Sequence, residues 1–151
     1  MSYWLMKSEP SEVSIDHLAA RPGQTVDWFG VRNYLARNFL RQMKVGDLAL
    51  FYHSSCPEPG IAGVVEVVRE AYPDPTQFDP NDAHYDPKSP RDNPRWSTVD
   101  VKLVRKVQLI SLAALRARDD LAEMRLLQKG NRLSVTPVDP AHWNALEPLL
   151  R

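Results

Sequence analysis

The sequence predicts an α+β domain built on a small twisted sheet or partly closed barrel with short flanking helices. About five or six segments carry the alternation or apolar density of strands, and several short helical stretches fall between them. No βαβ unit or internal repeat recurs along the chain. A length of 151 residues, 43% apolar and 25% charged, fits one hydrophobic core, so residues 1–151 are read as a single domain.

Tyr3 to Lys7 is a short aromatic and apolar run that ends in Ser8-Glu9-Pro10, a first strand entering a turn. A short helix follows, capped by Ser11 or Ser14 and stopped by Pro22-Gly23. Gln24 to Trp28 reads as a brief strand that Gly30 breaks. The next helix takes Val31, Leu35, Phe39 and Met43 as its core stripe, with Arg37, Arg41 and Lys44 on the other side. Arg32 falls inside the apolar arc at the first turn, where a cation is costly unless it is paired or faces a pocket.

Lys44-Val45-Gly46-Asp47 is a turn between that helix and two strands, Asp47 to His53 and Gly60 to Ala71, rich in Val, Leu, Phe and Tyr. Prolines then crowd the chain, and residues 72–96 add Asp, Asn and Ser at a density that reads as one long loop, either functional or a disordered flap. Val99, Val101 and Leu103 alternate with Asp100 and Lys102, which makes 97–109 a strand with one wet face. Ser111 caps a short helix through Ala117, and a second helical piece runs from Asp120 to Leu127. Arg132 to Thr136 is a further strand ended by Pro137. Asp139-Pro140 then opens a last helix through Trp143 and Leu146.

Nineteen basic and nineteen acidic residues cancel, which excludes a polycation that coats nucleic acid without selection. The charge is uneven, however. Residues 28–45 carry Arg32, Arg37, Arg41 and Lys44 with no acid, and residues 101–134 are also basic. These stretches are either solvated helix faces or a patch that holds a few phosphates. The apolar run from Ile61 to Val68 is too short to span a bilayer and is interrupted by Glu66, so no membrane span is expected. The first residues lack a basic start followed by an apolar stretch, and a cytoplasmic location is expected. Cys56 is alone, which leaves no internal disulfide or Cys-only metal site.

Phosphate loops, dinucleotide fingerprints, zinc-protease and nucleophile-elbow motifs are absent, and the four histidines show no metal-ligand spacing. No cofactor or metal is expected. An enzyme built on His53 with Glu9 or Cys56 is the weakest reading, because neighbours on a strand point to opposite faces. Binding chemistry gathers instead at strand ends: Lys7-Ser8-Glu9, Trp28 through Asn33, and Tyr52-His53-Ser54. Trp28 as a stacking wall, Glu9 as an acceptor for an exocyclic amine, and Ser8 or Asn33 as mixed donor and acceptor suit a flat heteroaromatic ligand. Trp28 as a plain core residue is the competing reading, while Trp4 and Trp143 are read as core.

The motifs carry a family resemblance over nearly the whole chain. It rests on Tyr3-Trp4-Leu5-Met6-Lys7-Ser8-Glu9-Pro10, Trp28-Phe29-Gly30-Val31-Arg32-Asn33-Tyr34 continuing through Ala36-Arg37-Asn38-Phe39, and Val45-Gly46-Asp47 with Phe51-Tyr52-His53-Ser54. Pro59-Gly60-Ile61, Tyr72-Pro73-Asp74, Tyr85-Asp86-Pro87-Lys88-Ser89, Arg95-Trp96 and Arg132-Leu133-Ser134-Val135 complete it in order. The chain resembles an EVE domain of the PUA-like superfamily, related to the thymocyte nuclear protein group. Phe29 and Ser55-Cys56-Pro57 depart from the family's usual residues.

The resemblance implies a PUA-like partly closed β-barrel and a pocket for a modified base in DNA or RNA, with no catalytic activity. Lys7 and Ser8 match the pocket-lining pair of the first strand and Trp28 an aromatic wall, with Glu9, Asn33, Tyr52, His53, Ser54 and Ser134 as further pocket residues. Arg32, either pairing with Glu9 or meeting a phosphate, joins Arg37, Arg41 and Lys44 as phosphate contacts. Trp28→Ala is then expected to abolish base-dependent binding without unfolding the domain. The alternative is a sensor or accessory protein that binds a free nucleotide, nucleoside or other small ligand in the same pocket.

Overall fold

A computed structural model describes residues Met1–Arg151. Six strands form one sheet: β1 (Tyr3–Ser8), β2 (Thr25–Asp27), β3 (Leu48–His53), β4 (Gly60–Pro73), β5 (Ser97–Ser111) and β6 (Val135–Val138). Their order is β2-β5-β4-β3-β1-β6, with β1 and β3 parallel and the other pairs antiparallel. Four short helices complete the fold: α1 (Ile15–Ala20), α2 (Tyr34–Gln42), α3 (Leu112–Arg116) and α4 (Pro140–Leu146).

Alternation along the strands sorts the apolar side chains into two cores. Trp4, Met6, Ala49, Phe51, Val65, Val67, Val99 and Val101 point to one face, where α1 and α2 cover them. Leu5, Leu50, Tyr52, Val64 and Ile110 point to the other, beneath α3 and α4. Each helix starts on a side-chain cap: Ser14, Asn33, Ser111 and Asp139 accept from a backbone N–H of the first turn. Ser14 is thus the cap of α1, completed by His17 in a reciprocal pair.

The long β4–β5 pair carries repeated register shifts between Ile61 and Tyr72, and such bulges bend and twist a sheet. In a flat sheet the terminal strands β2 and β6 would stand roughly 24 Å apart at the usual strand spacing. Here residues of β2 and the segment entering β6 line the same cleft, so the sheet is curled until its two edges approach without pairing. The barrel is partly closed, with an open seam.

Three sequence expectations change. In α2 the buried residues are Ala36 and Leu40, followed by Met43, while Leu35 is 60% exposed and Val31 lies before the helix. An every-four stripe drifts by about 40° per step on a 3.6-residue helix and cannot stay on one face, whereas i, i+4, i+7 does. Pro137 does not end β6 but pairs with Trp4 inside it, which an edge strand tolerates. The piece expected over 120–127 is two separate 3₁₀ turns, Asp119–Leu121 and Arg125–Leu127.

The 72–96 segment is ordered around buried polar groups. β4 runs on through Pro73, and a 3₁₀ turn spans Pro75–Phe78. The Gln77 amide is fully buried: its Nε2 donates to Asp74 O and Trp96 O, and its Oε1 accepts from Ser89 Oγ and Trp96 N–H. Trp96 Nε1 donates to Asp86 at 2.7 Å. All four hydrogen-bonding sites of one amide are used to hold the two ends of the loop together.

Candidate functional site

The open seam is a cleft of about 550 Å³, within the usual size range of small-ligand sites. The end of β1 contributes Lys7, Ser8 and Glu9, the end of β3 adds Ser54 and Ser55, and the entry to β6 adds Arg132 and Ser134. The opposite wall is Val26 to Arg32, and His84 reaches in from the ordered 72–96 loop. The lining is mostly polar.

Trp28 meets the cleft but is only 7% exposed, and its ring stands edge-on to Phe51 at 5.5 Å and 87°. It is a wall anchored in the core. Truncation to Ala would remove a large core ring at a cost of about 3–5 kcal/mol, so loss of binding in Trp28→Ala would not by itself separate a role toward the ligand from a role in packing. Asp27 belongs to the same wall, yet it alternates with Val26 and Trp28, which places its side chain on the other face of the sheet, where Asp100 stands opposite. Burial, with Asp100 and Asp74 nearby, pushes its carboxyl above the ordinary range.

Lys7 is half-buried, and burial alone pushes its ammonium below the ordinary lysine value. No carboxylate lies within ion-pair distance of it in the structure, so the cleft contains a cation short of a counterion. Ser8 Oγ donates to Val13 O at 2.7 Å and fixes the turn after β1, and Glu9 is exposed at the rim. Ser134 accepts from Lys7 N–H through its carbonyl, at 2.8 Å, so the two strands stay joined where the cleft begins.

Arg32 does not pair with Glu9. Its guanidinium donates to Asp74 Oδ2 at 3.1 Å, to Thr76 Oγ1 at 3.0 Å and to His84 O at 2.7 Å. Asp74 is fully buried and also accepts from Gly30 N–H at 2.8 Å. Arg32 and Asp74 therefore tie the cleft wall to the loop, and that contact sets His84 against Gly30. Gly30 has φ +83°, and a Cβ there would lie 2.8 Å from His84 Nε2, so only glycine fits.

Three expected pocket residues do not line the cleft. The Asn33 side chain is spent as the α2 cap, accepting from Ala36 N–H. Tyr52 points into the opposite core, and His53 Nε2 accepts from Ile15 N–H at 3.1 Å and so anchors α1. Arg37 and Arg41 lie on α2 outside the cleft and donate to the loop's return, Arg37 to Arg95 O and Arg41 to Ser97 Oγ. Lys44 sits 3.8 Å from Glu70. Conversely, Glu12 and His84 line the cleft without having stood out in the sequence, since each sits in a turn with no periodic signal, and Ser55, noted there only as a departure from the family's residues, joins them. No group of His, Cys, Asp or Glu is arranged to hold a metal ion.

The EVE domain family model matches residues 2–149. The chain belongs to the EVE domain family. A Pseudomonas putida protein of known structure is 52% identical and superposes with a TM-score of 0.93, covering 99% of this chain and 100% of that one. Human THYN1 protein, solved in complex with 5-methylcytosine-containing DNA, is 47% identical with a TM-score of 0.93 over 100% of this EVE domain and 98% of the human chain. Thymocyte nuclear protein 1 of Homo sapiens is 56% identical over 126 residues, which are 77% of this chain and 56% of the human protein. This EVE domain thus spans little more than half the length of that relative. The fold agrees with the α+β, PUA-like expectation. No helix is long and apolar enough to cross a membrane.

Proposed function

We propose that this EVE domain, acting as one unit over residues 1–151, is a non-enzymatic reader that takes a single unstacked, modified base of DNA or RNA into the cleft. The observation that carries the reading is the seam itself: a mostly polar cleft of about 550 Å³ with one aromatic wall and a counterion-poor lysine. Such a space admits a flat ring, offers donors and acceptors from Ser8, Ser54 and Ser134 to its edge, and keeps positive charge near its phosphate. The human relative's complex with 5-methylcytosine-containing DNA makes 5-methylcytosine the first modification to test. Removing a base from a duplex costs a few kcal/mol, so single strands or weakened pairs should bind best.

The cytoplasmic location read from the sequence stays part of this proposal, and the relatives' names point to the nucleus, where nucleic acid is equally present. The test is anisotropy of labelled oligonucleotides, DNA and RNA, with cytosine or 5-methylcytosine at one position. Wild type should prefer the modified strand. Ser54→Tyr, which places a ring in the cleft from a half-buried position without a side-chain hydrogen bond to lose, should abolish the preference. Equal preference in both proteins would refute the cleft as the reading site.

A further inference from the structure

We propose that the face of α2 beside the cleft is the track for the strand that delivers the base, with Arg37 and Arg41 as its phosphate contacts, an inference that rests on the nucleic-acid reading above. The charge pattern is the first support. Of the four cations in residues 28–45, Arg32 is neutralised by Asp74, and Lys44 lies within 3.8 Å of Glu70. Arg37 and Arg41 have only neutral acceptors. Arg37 donates to Asn38 Oδ1 and Arg95 O, and Arg41 to Ser97 Oγ, Pro94 O and the same Arg95 O. Burial and the neighbouring Arg37 push the Arg41 guanidinium below its ordinary value. Two like charges are thus fixed side by side by dipoles, and an arriving anion relieves their repulsion.

The second support is a stack of flat groups. The Arg32 guanidinium lies 5.4 Å from the Trp96 ring, Trp96 stacks on Tyr34 at 4.9 Å and 25°, and Arg37 lies 4.7 Å over Tyr34. Arg32 lines the cleft, so the column leads from the cleft to the open surface. There Tyr34 is 51% and Leu35 60% exposed. A tyrosine and a leucine left in water next to two unneutralised guanidiniums suit the sugar and base of a nucleotide beside its phosphate. No acid interrupts residues 28–45, which favours a polyanion over a protein partner with mixed charge.

The experiment is a salt series of anisotropy titrations with single-stranded DNA carrying one central 5-methylcytosine and with its unmodified twin. The proteins are wild type, Arg37→Gln/Arg41→Gln, Arg37→Lys/Arg41→Lys, and Lys102→Gln as an exposed cation on β5. The slope of log affinity against log salt should fall by roughly 0.7 for each phosphate that the Gln pair no longer neutralises, and stay at the wild-type value in the other two. Preference for the modified strand should survive in all four.

An unchanged slope in the Gln pair, or an equal fall in Lys102→Gln, would overturn the track. If the Gln pair loosens the 94–97 segment, as a melting curve would show, the Lys pair decides. It gives up the same forked hydrogen bonds to the loop, yet must keep the slope. A wild type with no preference for the modified base would sink the base reading and leave the slope comparison intact, so the two failures are distinguishable.

Discussion

Asp74→Ala should destabilise this EVE domain by about 3 kcal/mol, because one buried carboxylate holds the cleft wall and the loop together. Asp74 accepts four hydrogen bonds, from Gly30 N–H at 2.8 Å, Arg32 Nη1 at 3.1 Å, Thr76 N–H at 2.8 Å and Thr76 Oγ1 at 2.6 Å. Breaking a buried ion pair typically costs about 3–5 kcal/mol. The lower end applies, since the Arg32 side chain is 22% exposed and keeps its bond to His84 O. That is a large share of the ~5–15 kcal/mol that holds a typical domain together. It corresponds to a drop in Tm of roughly 6–12 °C for a chain of this size.

Urea denaturation at neutral pH measures the difference, and limited proteolysis should cut the 75–95 segment faster in the variant. The double substitution Arg32→Met/Asp74→Leu should recover only part of the loss, because an apolar pair needs no counter-charge but leaves Gly30 N–H and Thr76 N–H without the acceptor that Asp74 supplied. A cost below about 1 kcal/mol for Asp74→Ala would refute the view that this carboxylate organises the loop.

Acid sensitivity should report on His53, whose imidazole burial pushes below its ordinary 6.5 while Nε2 accepts from Ile15 N–H. The unfolded chain then takes its proton first as pH falls, so the stability this group contributes is full above pH 6.5 and declines below it through the depressed folded value. His53→Gln, which accepts without titrating, should flatten that decline in denaturation measured toward about pH 5, and an identical profile would refute the assignment. Lys7→Met should leave Tm unchanged or raise it, since burial already disfavours the ammonium, while weakening oligonucleotide binding several-fold. A lower Tm with unaltered affinity would show that Lys7 serves the fold and not the ligand.

The strands were legible because each carries its own signal: the aromatic and apolar run from Tyr3 to Lys7, or Val99 and Val101 alternating with Asp100, marks a strand locally. The caps Ser111 and Asp139 were legible for the same reason, and Ser14 as one of two candidates beside Ser11. Long-range polar pairings were not. Nothing near Arg32 in sequence points to Asp74, forty-two residues away, or to His84, yet these contacts turn a proline-rich stretch into an ordered wall. Asn33 and His53 misled for a related reason, since a polar side chain at a strand end or helix start serves backbone groups as readily as a ligand. Lys7, Ser8, Ser54 and Ser134 reach the cleft because β1, β3 and β6 are neighbours, so their ends meet. That adjacency is a property of the topology.

The unclosed seam also bears on how binding and stability are linked. In a closed barrel the last two strands zip together with backbone hydrogen bonds, whereas here the β2 and β6 edges lie on opposite sides of the cleft. A base lodged between them would act as a removable rung, bridging edges that the chain itself never joins. Occupancy should then slow hydrogen exchange at both rims together, at Val26–Trp28 and at Ser134–Thr136, although these segments share no hydrogen bond and lie at opposite ends of the sheet. In mechanical terms, the ligand supplies the barrel's last fastening.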